Sequence, residues 1–343
     1  MNKRTILKAS AAVVLVLATL LAGAAAYVQH LLSAPYKSYS GARIAVTISP
    51  GSSGSSISRM LHQKGVLHHP WLLKGIFLYR KTQGKSGDYV FDRPMTPWEV
   101  YEKLMKGETR YTLLTVPEGS NLFDIERILE SKNICTKDSF RLALQSGETN
   151  RAIEAIEHGL TGAEGFLFPD TYFLSKRELD PQRIILLMIK QFQKVFGDAE
   201  QRRAGELQMT VREAVTLASL VEKETGQPSE RALISGVFHN RLTRSMLLQC
   251  DPTVIYALLL NGNHDGHISR TDLRFTSPYN TYVSPGLPPG PICNPGKHAI
   301  LAALYPEQTE MLYFVSRNDG SHQFSPNLQE HNRAVMRYQR RGT

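Results

Sequence analysis

Two glutamates near the end of a predicted helix are the side chains best suited to acid chemistry. Glu222 and Glu224 lie on opposite shoulders of the helix's apolar stripe. Partial desolvation at such a position raises the pKa of a carboxyl group, as a general acid requires. Helical periodicity does not choose between them, and two solvated glutamates at a charged helix end are the simpler alternative. The stripe consists of Ala214, Leu217, Ala218 and Val221.

Polar side chains that commonly hydrogen-bond sugars, and tyrosines that stack on sugar rings, follow this helix along the chain. The sequence contains no HExxH motif, Cys/His cluster, GxSxG elbow, phosphate-binding loop or dinucleotide fingerprint. It therefore predicts neither a metal site nor a cofactor. The polar candidates are Asn240, Arg241, Gln249, Asp251, Thr253, Tyr256, Asn280, Tyr282, Asn294, His322, His331 and Asn332.

Local signals predict the elements that must position these residues. The capping box Thr210-Val211-Arg212-Glu213 opens the helix that carries the two glutamates. Pro181 to Phe196 has the wide apolar face of a packed helix, and Ser229 is expected to cap the helix after the glutamates. Beyond it, Pro, Gly and Asn become frequent, and such loops commonly shape a cleft. Met311 to Val315 reads as a strand that returns through Gln323-Phe324.

The N-terminal residues predict a membrane anchor. Lys3, Arg4 and Lys8 precede an uncharged stretch of 20 residues from Ala9 to Val28. This is the length that spans a bilayer as a helix, and the basic flank predicts a cytoplasmic N-terminus with the rest translocated. A cleaved signal peptide is the alternative, although the apolar run is longer than a usual signal core.

An internal repeat follows the anchor. Ile57 and Leu61 recur 68 residues later as Ile125 and Leu129, within a shared pattern of a short β run, a Pro/Gly/Ser turn and an amphipathic helix. Between the copies, Thr96 begins a capping box that starts a further helix. Self-similarity of this kind predicts duplicated small α+β units, which bind glycan or act only as spacers and docking surfaces.

The charge balance is basic but not concentrated. The formal net charge is +9, and no long Lys/Arg block stands out. A solvated basic surface explains the excess better than a nucleic-acid site, because zinc-ligand spacing and RNA-binding aromatic motifs are missing from the sequence. We therefore expect no nucleic-acid partner.

Several long motifs, in the same order along the chain, resemble the endolytic murein transglycosylase family (MltG-type, YceG-like). The resemblance runs from the anchor to near the C-terminus. The motifs are Glu164–Tyr172, Leu217–Thr225, Val237–Leu242, Leu248–Tyr256, Tyr279–Tyr282, Gly286–Gly290, Asn294–Gly296 and the terminal His322, Phe324 and Glu330–Asn332.

The resemblance implies an enzyme that cleaves between N-acetylmuramic acid and N-acetylglucosamine within nascent peptidoglycan strands and leaves 1,6-anhydro ends. It places the catalytic glutamate at the second Glu of the Glu-Lys-Glu run, Glu224. It also implies a single-pass protein of the cytoplasmic membrane with an extracytoplasmic catalytic domain, linked to peptidoglycan synthases of the elongation machinery. Substrate-binding positions are inferred at Glu164, Gln249, Asp251, Tyr256, Asn280 and Tyr282.

The expected fold is α+β: one transmembrane helix, small LysM-like α+β units and a mixed α+β catalytic domain. The predicted boundaries are 1–32 for the cytoplasmic tip and anchor, 33–41 for a linker, 42–111 and 112–155 for two LysM-like units, and 156–343 for the catalytic domain.

Two cysteines depart from the family pattern. Cys250 and Cys293 stand where we expect Thr or another small residue, in loops that border the same predicted cleft. We therefore consider a disulfide between them, which an oxidising compartment permits.

Two other functions compete with the transglycosylase. A hydrolase acting on the same bond needs a second carboxylate, which Glu164 or Asp251 can supply, and it produces reducing ends. A non-enzymatic wall-binding scaffold needs only the repeats and makes Glu224 dispensable.

Overall fold

The elements of the chain are mixed α and β, as the sequence predicts. The computed structural model describes residues 3–41, 43–107, 111–175, 178–263 and 266–339. The chain divides into two compact units, Met1–Leu113 with Phe173–Lys176 and Leu114–Tyr172 with Arg177–Thr343. The predicted boundaries at residues 1, 42 and 343 lie outside the described residues. The division into LysM-like units and a catalytic domain stays a prediction.

A long apolar helix, α1 (Lys3–Ser33), begins the chain. Its stretch Leu15–Ser33 has a mean hydropathy of 1.7 and is not buried by the rest of the protein. A helix of this length and composition is compatible with crossing a membrane, although a signal sequence near an N-terminus shares these properties. The predicted anchor is therefore helical, and its orientation stays a prediction.

A two-stranded antiparallel sheet and the helices packed on it form the first unit. Val46 pairs with Tyr89 across the sheet, and both side chains are buried. The predicted capping box is confirmed, since Glu99 N donates to Thr96 Oγ1 at 3.2 Å and Thr96 N donates to the Glu99 carboxylate at 2.7 Å. The elements are β1 (Ile44–Ile48), α2 (Gly54–Gln63), α3 (Pro70–Arg80), β2 (Gly87–Phe91) and α4 (Pro97–Lys106).

Helices dominate the rest of the chain. Strands β3 and β4 pair with each other, and β5 and β6 form the predicted hairpin, in which Phe314 is the partner of Phe324. The elements are β3 (Tyr111–Thr115), α5 (Leu122–Ser131), α6 (Lys137–Leu144), α7 (Gly147–Glu154), β4 (Thr171–Ser175), α8 (Pro181–Val195), α9 (Asp198–Glu206), α10 (Val211–Glu224), α11 (Arg231–Thr243), α12 (Asp251–Leu260), α13 (Lys297–Leu304), β5 (Tyr313–Ser316), β6 (His322–Ser325) and α14 (Leu328–Tyr338).

Helix α10 is the buried centre of the second unit. It packs against α11, α12 and α13, and it is buried on all sides from Ala214 to Val221. The predicted capping box fixes its start: Glu213 N donates to Thr210 Oγ1 at 3.1 Å, and Thr210 N donates to the Glu213 carboxylate at 2.8 Å. A helix held on every side positions its last turn, which carries Glu222 and Glu224.

The start of the helix after the glutamates differs from the sequence prediction. Ser229 does not cap it, because Pro228–Glu230 forms a single 3-10 turn and α11 begins only at Arg231. Glu230 stands at the cap position, and its carboxylate accepts hydrogen bonds from His322 instead. Proline favours the first position of a helical turn, and here that turn begins before the serine.

The apolar positions of the internal repeat are buried in both copies. Ile57 and Leu61 are fully buried in the first, and Ile125 and Leu129 are fully buried in the second. Each pair therefore anchors its own helix, α2 or α5, in a core.

Candidate active site

Glu224 ends α10 as a partly buried carboxyl group. Its pKa is raised from 4.5 to about 7, first by burial and then by the negative charge of Asp251. The thiol of Cys250, which donates a hydrogen bond to the carboxylate, and the positive charges of His322 and Arg241 act in the opposite direction. A carboxyl group with such a pKa exchanges its proton near neutrality, which suits it to general acid and base catalysis.

The loop before α12 brings Cys250 and Asp251 to Glu224. Gln249 has a left-handed backbone with φ 50°, which is uncommon for a side chain of this kind. Its N–H donates to Thr281 O at 3.1 Å, and the N–H of Cys250 donates to Thr281 Oγ1 at 3.0 Å. These bonds turn the chain sharply, so that Cys250 is buried, Gln249 is exposed and Asp251 begins α12.

Asp251 is held from the other side by Tyr282. The phenol of Tyr282 donates to Asp251 Oδ1 at 2.5 Å. The pKa of this phenol is raised, first by burial and then by the adjacent aspartate, so it remains a donor. The structure thus brings four of the predicted residues, Glu224, Gln249, Asp251 and Tyr282, to the same part of the second unit.

Two basic residues that the sequence analysis gave no role lie near Glu224. Arg241 is buried, donates to Leu312 O at 2.7 Å and Leu248 O at 2.8 Å, and lies over the Tyr313 ring at 5.1 Å. His322 Nδ1 lies 2.7 Å from the Glu230 carboxylate. Both appear among the polar candidates, but only the three-dimensional contacts show that their charges act on Glu224.

The hypothesis of a disulfide between Cys250 and Cys293 is wrong. Both cysteines are free and buried. The Cys250 thiol donates a hydrogen bond to the Glu224 carboxylate, and Cys293 Sγ donates to Ser219 O at 3.5 Å. Both acceptors lie on α10. Each sulfur therefore has its own partner on that helix. The spacing of the cysteines in the sequence did not predict either contact.

Glu164 and Tyr256 form a second network in the same unit. The Glu164 carboxylate accepts hydrogen bonds from Leu122 N at 3.0 Å, Tyr256 Oη at 2.9 Å and Asn294 Nδ2 at 3.2 Å. Its pKa is raised to about 7, mainly by burial. Three internal donors occupy this carboxylate, and they join the start of α5, helix α12 and the loop before α13.

Asn280 is fully buried and holds a loop together. Its amide donates to Phe275 O at 2.8 Å and Leu273 O at 3.2 Å, and its carbonyl accepts from Tyr282 N at 2.9 Å. The side chain thus places Tyr282, which in turn binds Asp251. Its residue type suggested that Asn280 binds sugar directly. Because the side chain is buried, it positions Tyr282 instead.

Glu222 differs from Glu224 in its partners. It accepts a hydrogen bond from Gly296 N at 2.9 Å and lies 3.5 Å from the Arg231 guanidinium, with only 7% of its side chain exposed. Burial raises its pKa, while Gly296 and Arg231 oppose the shift. Across the described ranges, Glu224 forms no ion pair within 4.0 Å, so Glu224 is the freer of the two to exchange a proton.

No group of three or more His, Cys, Asp and Glu side chains in the described part of the chain is arranged to hold a metal ion.

Comparison with known proteins places the chain in a family. The model of the YceG-like family matches residues 46–337, and the chain belongs to that family. The endolytic murein transglycosylase of Bacillus subtilis (strain 168) is 33% identical over 335 residues, covering 93% of this chain and 91% of that protein. Curated relatives of this chain are thus named as lytic transglycosylases, a class of enzyme.

Two further matches agree with this assignment. The endolytic murein transglycosylase of Streptococcus pneumoniae serotype 2 is 29% identical over 357 residues, covering 94% of this chain and 63% of that longer protein. A crystal structure of a YceG-like protein from Listeria monocytogenes is 32% identical, with a TM-score of 0.61, and covers 86% of this chain and 99% of the crystallised one.

Proposed function

We propose that this chain is an endolytic murein transglycosylase that cleaves between N-acetylmuramic acid and N-acetylglucosamine within nascent peptidoglycan strands. The observation that carries the proposal is the position of Glu224, half-buried at the end of α10 and close to Asp251, His322 and Arg241. Its pKa of about 7 fits an acid that exchanges its proton near neutrality. The names of the curated relatives support the substrate class.

In the proposed reaction, Glu224 acts first as an acid and then as a base. The protonated carboxyl donates its proton to the glycosidic oxygen while the bond from that oxygen to the anomeric carbon breaks. The resulting carboxylate accepts the proton of the muramic 6-hydroxyl, whose oxygen closes onto the anomeric carbon. The product is a 1,6-anhydro ring, no water is consumed, and Glu224 ends protonated. One carboxyl group suffices, unlike the pair used by ordinary glycosidases.

The neighbours of Glu224 suit both halves of this cycle. Asp251 and burial favour the protonated form that begins the reaction, whereas Cys250, His322 and Arg241 favour the carboxylate that exists between the two proton transfers. These opposing influences hold the pKa near neutrality, where neither transfer is strongly uphill.

The proposed substrate contacts divide into two kinds. Gln249 and Asp251 have exposed side chains near Glu224, so we assign them, with Tyr282, to sugar binding. Asn280 and Tyr256 are buried, and we assign them to positioning. Glu164, whose carboxylate is occupied by three internal donors, joins the positioning group.

We propose that α1 anchors the enzyme as a single-pass protein of the cytoplasmic membrane. The N-terminus would lie inside and the catalytic domain outside, as the basic flank and the location of peptidoglycan require. On the family resemblance, we also propose that the enzyme meets peptidoglycan synthases of the elongation machinery, whose nascent strands it would cut.

The test is mass spectrometry of glycan ends after incubation of the full chain, in detergent, with peptidoglycan. Wild type and Glu222→Gln should both produce 1,6-anhydro ends, because Glu222 carries no proton in the proposed reaction. Glu224→Gln should produce none while retaining the wild-type circular dichroism spectrum. A Glu224→Gln protein with substantial turnover would overturn the assignment of Glu224 as the acid. No cleavage by the wild type would favour the non-enzymatic wall-binding scaffold instead.

A hydrolase using two carboxylates is the second candidate, and one observation favours it. Asp251 is close enough to Glu224 to raise its pKa, so a second carboxylate is available beside the acid. Reducing ends in place of anhydro ends in the same experiment would establish hydrolysis.

A further inference from the structure

One face of α3, in the first unit, carries large apolar side chains that stay largely exposed in the part of the unit that the structure describes. Leu73 and Phe77 point into the core and are buried. On the outer side Trp71 is 48% exposed, Leu78 69% and Tyr79 80%. Scattered exposed apolar residues are ordinary, but three on one short helix indicate a surface that is covered by something else.

This face is continuous with the apolar helix α1. A groove of about 270 Å³ is lined by Val28 and Leu32 of α1 on one side and by Trp71, Tyr79 and Trp98 on the other. Val28 and Leu32 lie in the last turns of the stretch Leu15–Ser33 that is long enough to cross a membrane. The outer face of α3 therefore begins where that stretch ends.

The chemistry of the face matches a membrane–water interface. Tryptophan and tyrosine concentrate at the level of lipid headgroups, because their rings are apolar and carry one polar group. Lys74, Arg80 and Lys81 are exposed on and just after the same helix, where they would meet anionic headgroups. An apolar face flanked by basic residues is typical of helices that lie in the interface.

We propose that the outer face of α3, with Trp71, Leu78 and Tyr79, lies in the lipid headgroup region beside α1 and binds phospholipid. The inference rests on the proposed membrane anchoring by α1. The first unit is then attached to the bilayer by two elements, a helix that crosses it and a helix that lies in its surface.

Intrinsic fluorescence tests the proposal, because the two tryptophans of the chain, Trp71 and Trp98, both line the groove. The full chain carrying Trp98→Phe is reconstituted into vesicles of phosphatidylcholine and phosphatidylglycerol, with bromine placed either near the headgroup or near the chain end. We expect loss of Trp71 emission, greater with bromine near the headgroup. The proposal would be overturned if brominated lipid left the Trp71 emission unchanged while iodide in the aqueous phase quenched it. A partner protein would then be the candidate that covers this face.

A control separates this outcome from a failure of the anchor itself. In a protein with Trp71→Phe and Trp98→Phe, Leu20→Trp places a single tryptophan in the apolar stretch of α1. Quenching of this tryptophan by bromine near the chain end, without quenching of Trp71, would refute the α3 contact while leaving the anchor intact. Quenching of neither would refute both.

A matched pair of substitutions tests the contact independently. Leu78→Ser should reduce the quenching of Trp71, because it removes apolar area from the face. Leu142 on α6 is also 69% exposed but belongs to the other unit, so Leu142→Ser should leave the quenching as in wild type. Equal quenching in all three proteins would count against the proposal.

Discussion

Replacing Glu224 by Gln should stabilise the protein above pH 7 and leave its stability below pH 4.5 almost unchanged. The pKa of Glu224 is about 7 in the folded chain and 4.5 when the group is unperturbed, so between these values the folded state holds a proton that the unfolded state has released. The free energy of unfolding of the wild type therefore falls as pH rises through this window. Glutamine cannot ionise, so the variant lacks this loss.

The size of the effect follows from the two pKa values. A separation of about 2.5 between them corresponds to about 3 kcal/mol at pH values above 7, because each unit is worth about 1.4 kcal/mol. For a unit of this size, that free energy raises the unfolding midpoint by roughly 6–12 °C. Such a gain in stability is expected when the group replaced is a catalytic side chain whose charged form is destabilised by burial.

The assay is thermal unfolding of the full chain in detergent over a series of pH values. The quantity of interest is the midpoint of Glu224→Gln minus that of the wild type, because other titrating groups cancel in the difference. Glu154→Gln, which removes an exposed carboxyl group on α7, controls for the change in net charge. A difference that is flat with pH, or that shrinks above pH 7, would show that the pKa of Glu224 is not raised in the folded chain.

Further predictions concern the surroundings of Glu224. Asp251→Asn should move the alkaline limb of the pH–rate profile to lower pH and His322→Gln to higher pH, since the first removes a negative and the second a positive charge near the acid. Cys250→Ala should also move that limb to higher pH, because the carboxylate loses a donor, whereas Cys250→Ser should restore it; identical profiles for Ala and Ser would exclude the thiol contact. Asn280→Ala should lower the free energy of unfolding by about 1–3 kcal/mol, measured by denaturant titration, because two partly buried carbonyls lose their hydrogen-bond donor.

Local features of the fold were predictable from the sequence. The capping boxes at Thr96 and Thr210 are confirmed because their hydrogen bonds join residues three apart, so adjacent residue types determine them. The strand pair β5 and β6 was predictable because a short turn joins two strand-forming runs that are close in the sequence. The prediction that Ser229 caps α11 is wrong, because Pro228 starts a 3-10 turn one residue before the serine.

The different roles of the site residues were not predictable from the sequence, because they depend on contacts between residues distant in the chain. Periodicity places Glu222 and Glu224 symmetrically, and contacts with distant residues such as Gly296, Arg231 and Cys250 distinguish them. Family resemblance, not pattern, favoured Glu224. Burial likewise separates Asn280 from the exposed Gln249, although both have amide side chains suited to sugars.

The direction of α10 has a consequence for the electrostatic field at Glu224. The peptide dipoles of a helix sum to a partial negative charge at its C-terminal end, which is where Glu224 stands. That end disfavours a carboxylate in the same sense as burial does, and it favours positive charge as it develops on a sugar ring. Helix α12 begins at Asp251 and brings its partial positive end to the same part of the unit. The site therefore lies between opposite helix poles, in a field fixed by the backbone before any substrate arrives.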